Sequence, residues 1–171
     1  MDSLGAKLAV NLYGYAQGTS TNANIKLKFG ETGTTSLAST STTSSQANEV
    51  FGYSLRSLAL STSETWDLRS YTNVLGETTK TLAEIRFLYI EHDITSTAVS
   101  ITVGNAASNQ LTPFSMSATN TFTLLPGEGF VMWAPSTTAI PCDGTHKSVK
   151  VLNNSGVAAA IYNIYAIGSI S

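Results

Sequence analysis

Three short segments of this sequence hold the residue types that could do chemistry. The first is Glu91-His92-Asp93, because imidazole and carboxylate groups bind metals and carry protons. In a strand, however, Glu91 and Asp93 share one face and His92 points to the other, so the three cannot complete one tetrahedral metal shell. We therefore expect a solvated strand end here rather than a metal or acid-base site.

The second segment places Cys142, Asp143 and His146 close together in the chain. A thiol near a base could form a nucleophilic pair, but no nucleophile elbow or oxyanion-hole sequence accompanies this one. We expect an ordinary polar loop that holds a small, half-buried thiol. Because Cys142 is the only cysteine, the sequence also excludes an internal disulfide and a zinc site built from several cysteines.

The third segment, Pro126-Gly127-Glu128-Gly129, is glycine-rich like a phosphate-binding loop. It lacks the spacing and the Lys-Ser/Thr pair that such loops require, so we expect a hairpin turn. Paired carboxylates for glycoside hydrolysis stay open as an alternative, because such acids come from separate strands. Otherwise the sequence predicts no catalytic residue, no metal ligand and no cofactor, and so a protein that is not an enzyme.

Alternating apolar and polar residues identify the elements that carry these segments, because alternate side chains of a strand point to opposite faces. Such runs occur at 8–12, 25–29, 66–68, 85–90, 99–103, 122–124, 130–134, 149–151 and 160–167. The last run is apolar on both faces, which is typical of a central or interface strand. Clusters of Gly, Pro and Asn separate the runs. Only residues 78–88 carry a competing helical spacing, so a short helical turn is the alternative there.

Many short strands at this spacing predict an all-β fold, a single β-sandwich domain over residues 1–171 with an eight-stranded jelly roll as its preferred topology. We expect residues 1–24 to form an extended N-terminal segment, a candidate docking arm. Residues 34–48 are a low-complexity Ser/Thr-rich stretch with almost nothing to bury. We expect a flexible loop there, or a segment that only a partner orders.

Charge and hydropathy narrow the choice of partners. Only 12% of the residues are charged, the net charge is −2, and the nine basic residues are scattered. No patch can therefore neutralise a run of phosphates, which predicts that no nucleic acid is bound. No secretion signal opens the chain, and no run approaches the roughly 20 apolar residues that span a bilayer. We expect no membrane partner and synthesis in a reducing cytoplasm.

From about Trp66 onward, the order and spacing of the segments resemble a family of small virion structural proteins from tailed bacteriophages and prophages. The similarity covers about residues 66–171. The segments that carry it are Asp67-Leu68, Leu75-Gly76, Arg86 to Ile90, Ile101 to Asn109, Thr112-Pro113-Phe114, Leu125 to Gly129, Ala134-Pro135, Lys150 to Gly156 and Tyr162 to Gly168.

This resemblance implies a capsid decoration or cement protein that binds and stabilises the outer surface of a phage head. Its partner would be the major capsid protein of the same phage, and its working form a homo-oligomer, with a trimer preferred. The alternative is a tail, fibre or baseplate module that binds a host-surface glycan through exposed Tyr, Asn and Trp133 side chains. The residues expected at an interface are Leu8, Val10, Leu12, Tyr13, Tyr15, Tyr162, Ile164 and Tyr165.

Overall fold

The structure, a computed structural model, describes residues 25–29, 33–37, 49–73, 78–111, 120–134 and 139–170. Its regular elements are eleven β-strands, and no helix occurs in these residues. The strands are β1 Ile25–Phe29, β2 Gly33–Leu37, β3 Glu49–Leu58, β4 Ser63–Asp67, β5 Leu82–His92, β6 Ile101–Gly104, β7 Thr121–Leu124, β8 Gly129–Trp133, β9 Ile140–Pro141, β10 Ser148–Asn153 and β11 Ala160–Ile170. The alternative of a short helical turn within residues 78–88 is therefore wrong, since β5 occupies most of that stretch.

Nine of the described strands form two antiparallel sheets. The five-stranded sheet has the order β3-β11-β5-β8, with the short β9 also pairing with β5. The four-stranded sheet has the order β4-β10-β6-β7, and β1 pairs with β2 in a separate two-stranded sheet. Because β11 lies between β3 and β5, the predicted central position of the 160–167 run is confirmed.

Among the described residues, one large apolar core lies between the two main sheets. The five-stranded sheet contributes Ile164 and Ala166 of β11, and the four-stranded sheet contributes Val149 and Val151 of β10, all of them fully buried. The spacing of two residues in each strand follows from the pleat, which sends alternate side chains to opposite faces. The prediction of an all-β fold is confirmed, and two facing sheets around one core are consistent with a β-sandwich.

The turn at residues 126–129 differs from the prediction. It joins β7 of the four-stranded sheet to β8 of the five-stranded sheet, so it is a connection between sheets and not a hairpin turn. Gly127 has a φ of 86°, a conformation that glycine adopts without steric cost. Its N–H donates to the carbonyl oxygen of His92 at 2.7 Å, which fixes the turn against the end of β5.

The predicted N-terminal features are only partly covered by the structure. The strand predicted at residues 25–29 is confirmed as β1, which pairs with β2 from Gly33 to Leu37. The first four residues of the predicted loop at 34–48 therefore belong to a strand. Residues 38–48 and the candidate docking arm at 1–24 lie outside the described residues.

Candidate functional site

His92 lies at the end of β5, and its side chain is fully buried, so the prediction of a solvated strand end is wrong for this residue. Its Nδ1 lies 3.0 Å from the carbonyl oxygen of Leu124, and its Nε2 lies 2.8 Å from the Ser96 hydroxyl. The Ser96 oxygen accepts N–H groups from Ala98 at 3.3 Å and Ile161 at 3.2 Å. The Ser96 hydroxyl is therefore free to donate to Nε2, while Nδ1–H donates to Leu124. Both ring nitrogens are engaged, and His92 has none left for a metal.

Glu91 and Asp93 lie on the opposite face of the sheet from His92, as the strand alternation predicts. The Asn163 side chain donates to Glu91 at 3.0 Å, and the backbone N–H of Thr95 donates to Asp93 at 2.8 Å. Hydrogen bonds from the Thr95 hydroxyl and N–H hold the pKa of Asp93 below its ordinary value. Among the residues that the structure covers, no group of three His, Cys, Asp or Glu side chains could hold a metal ion.

Cys142, Asp143 and His146 do not form a reactive group. Burial raises the pKa of the Cys142 thiol to about 12, so the thiol stays protonated at neutral pH and is a poor nucleophile. Asp143 accepts the backbone N–H groups of Thr145 at 2.7 Å and His146 at 2.9 Å. These hydrogen bonds, the one from the Thr145 backbone foremost, hold the pKa of Asp143 well below its ordinary value. The carboxylate organises a polar loop, as predicted, but the thiol that was predicted to be half-buried is fully buried.

The residues predicted at an interface fall into three groups: residues outside the described part of the chain, residues buried in the core, and one partly exposed residue. Leu8, Val10, Leu12, Tyr13 and Tyr15 lie outside the described residues. Tyr162 and Ile164 point into the core and are fully buried, so their side chains offer no surface to a partner. Tyr165 lies on the other face of the same strand and is partly exposed. The physical reason is the alternation along β11, which sends even-numbered side chains of this stretch inward.

The second face of the five-stranded sheet, which points away from the core, carries a row of aromatic rings. We call it the outer face, and it comprises Val50, Phe87, Tyr89, Val131, Trp133, Tyr165 and Ile167. The rings of Tyr89 and Tyr165 lie 6.5 Å apart at 18°, and those of Phe87 and Trp133 lie 6.2 Å apart, edge to face. Gly52 lies beneath Tyr165, where an added Cβ would overlap the ring.

A cleft of about 400 Å³ opens at one side of the sandwich, beside β3 and β4. We call it the edge cleft, and it is lined by Tyr53, Thr65, Trp66, Asp67, Ser70, Tyr71, Thr72 and Thr79. Sequence reasoning missed this site, because its residues come from two different sheets and from the turns that follow β4. A weak signal was present in the clustering of Trp66, Tyr71 and several hydroxyl residues between 65 and 79.

The aromatic wall of the edge cleft is held in place by a hydrogen-bond network. The rings of Tyr53 and Trp66 stack at 4.6 Å and 24°. The indole N–H of Trp66 donates to the Tyr162 hydroxyl at 2.9 Å, and that hydroxyl donates to Glu64 at 2.7 Å. Arg56 completes the network with two hydrogen bonds to Glu64, at 3.0 and 2.6 Å, and its guanidinium lies 5.5 Å from the Trp66 ring centroid.

This network fixes the charge on Glu64. Burial disfavours the carboxylate, but hydrogen bonds from Arg56 and Tyr162 outweigh that cost, and the pKa of Glu64 is lowered. Burial, together with the neighbouring carboxylate, raises the pKa of Tyr162. Arg56 belongs to β3 and Glu64 to β4, so their ion pair ties the two sheets together at the rim of the edge cleft.

Comparison with known proteins does not assign a family to this chain. No family model, no curated protein and no solved structure matches it. The described residues also contain no helix long and apolar enough to cross a membrane. Function is therefore inferred from the strand pairing and from the geometry of the outer face and the edge cleft.

Proposed function

We propose that this chain is a non-enzymatic structural protein of a tailed-phage virion, and that it decorates the outer surface of the head as a cement protein. The pairing order of its strands is the main support. When the hairpin β1-β2 and the two-residue β9 are set aside, eight of the eleven strands remain in the two main sheets.

These eight strands pair as a nested set. The first pairs with the last (β3 with β11), the second with the seventh (β4 with β10), the third with the sixth (β5 with β8), and the fourth with the fifth (β6 with β7). A long hairpin that rolls up, so that successive pairs fall alternately into two sheets, generates the eight-stranded jelly roll. The nested order thus supports a jelly roll, an architecture used by viral capsid and lectin domains.

Fold alone does not imply function, so the side chains provide the second line of support. In the sequence, His92, Cys142 and Asp143 were among the candidates for catalysis or metal binding. In the structure they serve as a buried hydrogen-bonded imidazole, a protonated thiol and a loop-organising carboxylate. Their engagement favours a structural role over a catalytic one, and the low content of charged residues favours dense, repeated packing on a particle.

Particle fractionation tests this function directly. Virions from cells that carry the gene are dissociated, heads and tails are separated by sedimentation, and the chain is quantified by mass spectrometry against the major capsid protein. We expect the chain in the head fraction at a constant ratio to the major capsid protein. Its presence in tails alone would favour the tail-module alternative, and its absence from particles would exclude a virion role.

Re-addition of the recombinant protein tests the partner and the docking arm. Heads that lack the chain are mixed with the full-length protein and, in parallel, with a variant that lacks residues 1–20. We expect the full-length protein, as a homo-oligomer with a trimer preferred, to bind and stabilise the heads, and we expect the shortened variant to bind more weakly. Equal binding by both proteins would remove the arm from the proposed contact.

A further inference from the structure

The edge cleft lies beside an edge strand of each main sheet. Among the described strands, β3 is an edge strand of the five-stranded sheet and β4 is an edge strand of the four-stranded sheet. The cleft is bounded by Tyr53 of β3, by Trp66 of β4 and by Tyr71 in the turn region after β4. Its volume of about 400 Å³ falls within the range of roughly 300–1,000 Å³ that is usual for small-molecule sites.

The polar groups that line the edge cleft are mostly hydroxyls. Thr65, Ser70, Thr72 and Thr79 contribute them, and none of these four side-chain hydroxyls takes part in a hydrogen bond within the part of the chain that the structure covers. Each hydroxyl can both donate and accept. A ligand in this cleft would therefore meet aromatic rings on one side and several unengaged donor-acceptor groups on the other.

The charged groups at the edge cleft are already neutralised. Among the described residues that line the cleft, Asp67 is the charged one, and its Oδ2 lies 2.5 Å from Lys147 Nζ. Its Oδ1 accepts the backbone N–H of Arg69 at 2.8 Å. At the rim, Arg56 is paired with Glu64. An anionic or cationic ligand would find no unpaired counter-charge among these groups, so the chemistry of the lining favours a neutral ligand.

The aromatic wall is rigid before any ligand arrives. Trp66 is fixed by its hydrogen bond to Tyr162, by its stacking on Tyr53 and by an edge contact with Phe51 at 5.4 Å between ring centroids. A preorganised site loses little conformational entropy when it binds. Side chains of this kind, with an apolar body and a polar tip, are suited to ligands that are partly apolar and partly hydrogen-bonding.

We propose that the edge cleft is a binding site for a neutral saccharide, such as a hexose unit of a cell-surface glycan. A pyranose ring presents a C–H face that can pack on the Tyr53 and Trp66 wall, and a rim of hydroxyls that matches Thr65, Ser70 and Thr72. The outer face, which carries Trp133, is not part of this site. The inference is independent of the virion role, because a glycan could be bound by a head, tail or free protein.

Saccharide binding by the full chain is tested by saturation-transfer NMR with methyl glycosides of glucose, galactose, mannose, rhamnose and N-acetylglucosamine, and by a printed array of neutral and sialylated oligosaccharides. We expect at least one neutral glycoside to bind, and neutral oligosaccharides carrying that unit to bind on the array. Tyr53→Leu should weaken this binding about tenfold or more, because truncation of an aromatic anchor typically has an effect of this size. Tyr53→Phe keeps the ring and should retain most of the affinity.

Tyr165→Leu is the matched control, since Tyr165 is a half-buried tyrosine on the outer face of the same sheet. We expect this variant to bind the saccharide as the parent does. The proposal is overturned if no neutral saccharide binds, if only sialylated glycans bind, or if Tyr165→Leu weakens binding as much as Tyr53→Leu. Each of these results would leave the particle fractionation outcome unaffected, so the two proposals fail separately.

Discussion

Buried polar side chains connect the loops to the core of this protein. Asn153 at the end of β10 is the clearest case, because its side-chain N–H groups donate to the carbonyl oxygens of Leu58, Ala59 and Ala158 at 3.2, 3.1 and 2.8 Å. Its side-chain oxygen accepts the N–H of Ser155 at 2.9 Å. One buried amide therefore satisfies four backbone groups that would otherwise lose their hydrogen bonds to water.

Two buried tyrosines provide a matched test of this principle. The Tyr71 hydroxyl is buried without a hydrogen-bond partner in the described chain, whereas the Tyr162 hydroxyl accepts from Trp66 and donates to Glu64. We expect Tyr71→Phe to leave the free energy of unfolding unchanged or to raise it by up to about 1 kcal/mol, since it removes an unsatisfied group. Tyr162→Phe should lower it by about 1–3 kcal/mol. Urea denaturation of both variants measures the difference, and a larger loss in Tyr71→Phe would contradict it.

At the scale of single elements, irregular pairing of β5 with β11 changes which side chains of β5 face the core. The register shifts between Ile167 and Gly168, opposite Phe87 and Ile85. Such a bulge inserts an extra residue and reverses which side chains face the core. Ile85 consequently packs in the main core while Phe87 lies on the outer face, although the two are separated by an even number of positions.

This bulge depends on a close backbone approach at Gly168. A Cβ at that position would overlap the carbonyl oxygen of Glu84, a backbone atom that cannot move aside. We expect Gly168→Ala to lower the free energy of unfolding by about 3 kcal/mol or more, in the range of severe steric changes. Gly144→Ala is the control, because an added Cβ there meets nothing within 4 Å, and its effect should stay within about 0.5 kcal/mol. Equal urea midpoints for the two variants would show that the backbone relaxes freely at Gly168.

The same irregularities explain which elements could be predicted from the sequence. Leu82 and Ile85 both face the core because a second register shift, between Ser169 and Ile170, lies between them. Their spacing of three residues imitates a helix, which produced the wrong alternative at 78–88. Strand β3 was not predicted, although Phe51, Tyr53 and Leu55 alternate with small or polar residues in the sequence. Its ladder is interrupted at Leu55, which adopts a φ of 51° and donates its N–H to the Asn163 side chain. Regular strands such as β1 and β10 show an alternation of apolar and polar residues, and they were predicted.

At the scale of the whole molecule, sheet order depends on pairings between distant parts of the chain. β3 pairs with β11, which follows it by about a hundred residues in the chain. Tyr53 stacks on Trp66 only because β3 and β4 belong to different sheets that face each other. Local alternation carries no information about which strands become neighbours, so the edge cleft could not be predicted. The alternation did predict the opposite faces of His92 and Asp93, because that depends only on adjacent residues.

At the scale of the whole molecule, three carboxylates of the described residues should make the free energy of unfolding depend on pH. The pKa values of Glu64, Asp93 and Asp143 are all lowered in the folded state. A group whose folded pKa is depressed contributes stability above its unfolded pKa, about 4, and loses that contribution as the pH falls through the folded pKa. We therefore expect a nearly constant free energy of unfolding from about pH 8 to pH 5, and a decline below about pH 4.

Glu64→Gln separates the ion pair between the sheets from the loop carboxylates. The variant should be less stable at pH 7, because Arg56 and Tyr162 lose a charged acceptor, and its stability should fall less steeply between about pH 4 and pH 2, because the amide does not titrate. Asp143→Asn, in an exposed loop, should flatten the acid decline without loosening the contact between β3 and β4. Urea unfolding at pH 7 and pH 3 compares the three proteins. If Glu64→Gln declined as steeply as the parent, the acid sensitivity would arise in the loops and not between the sheets.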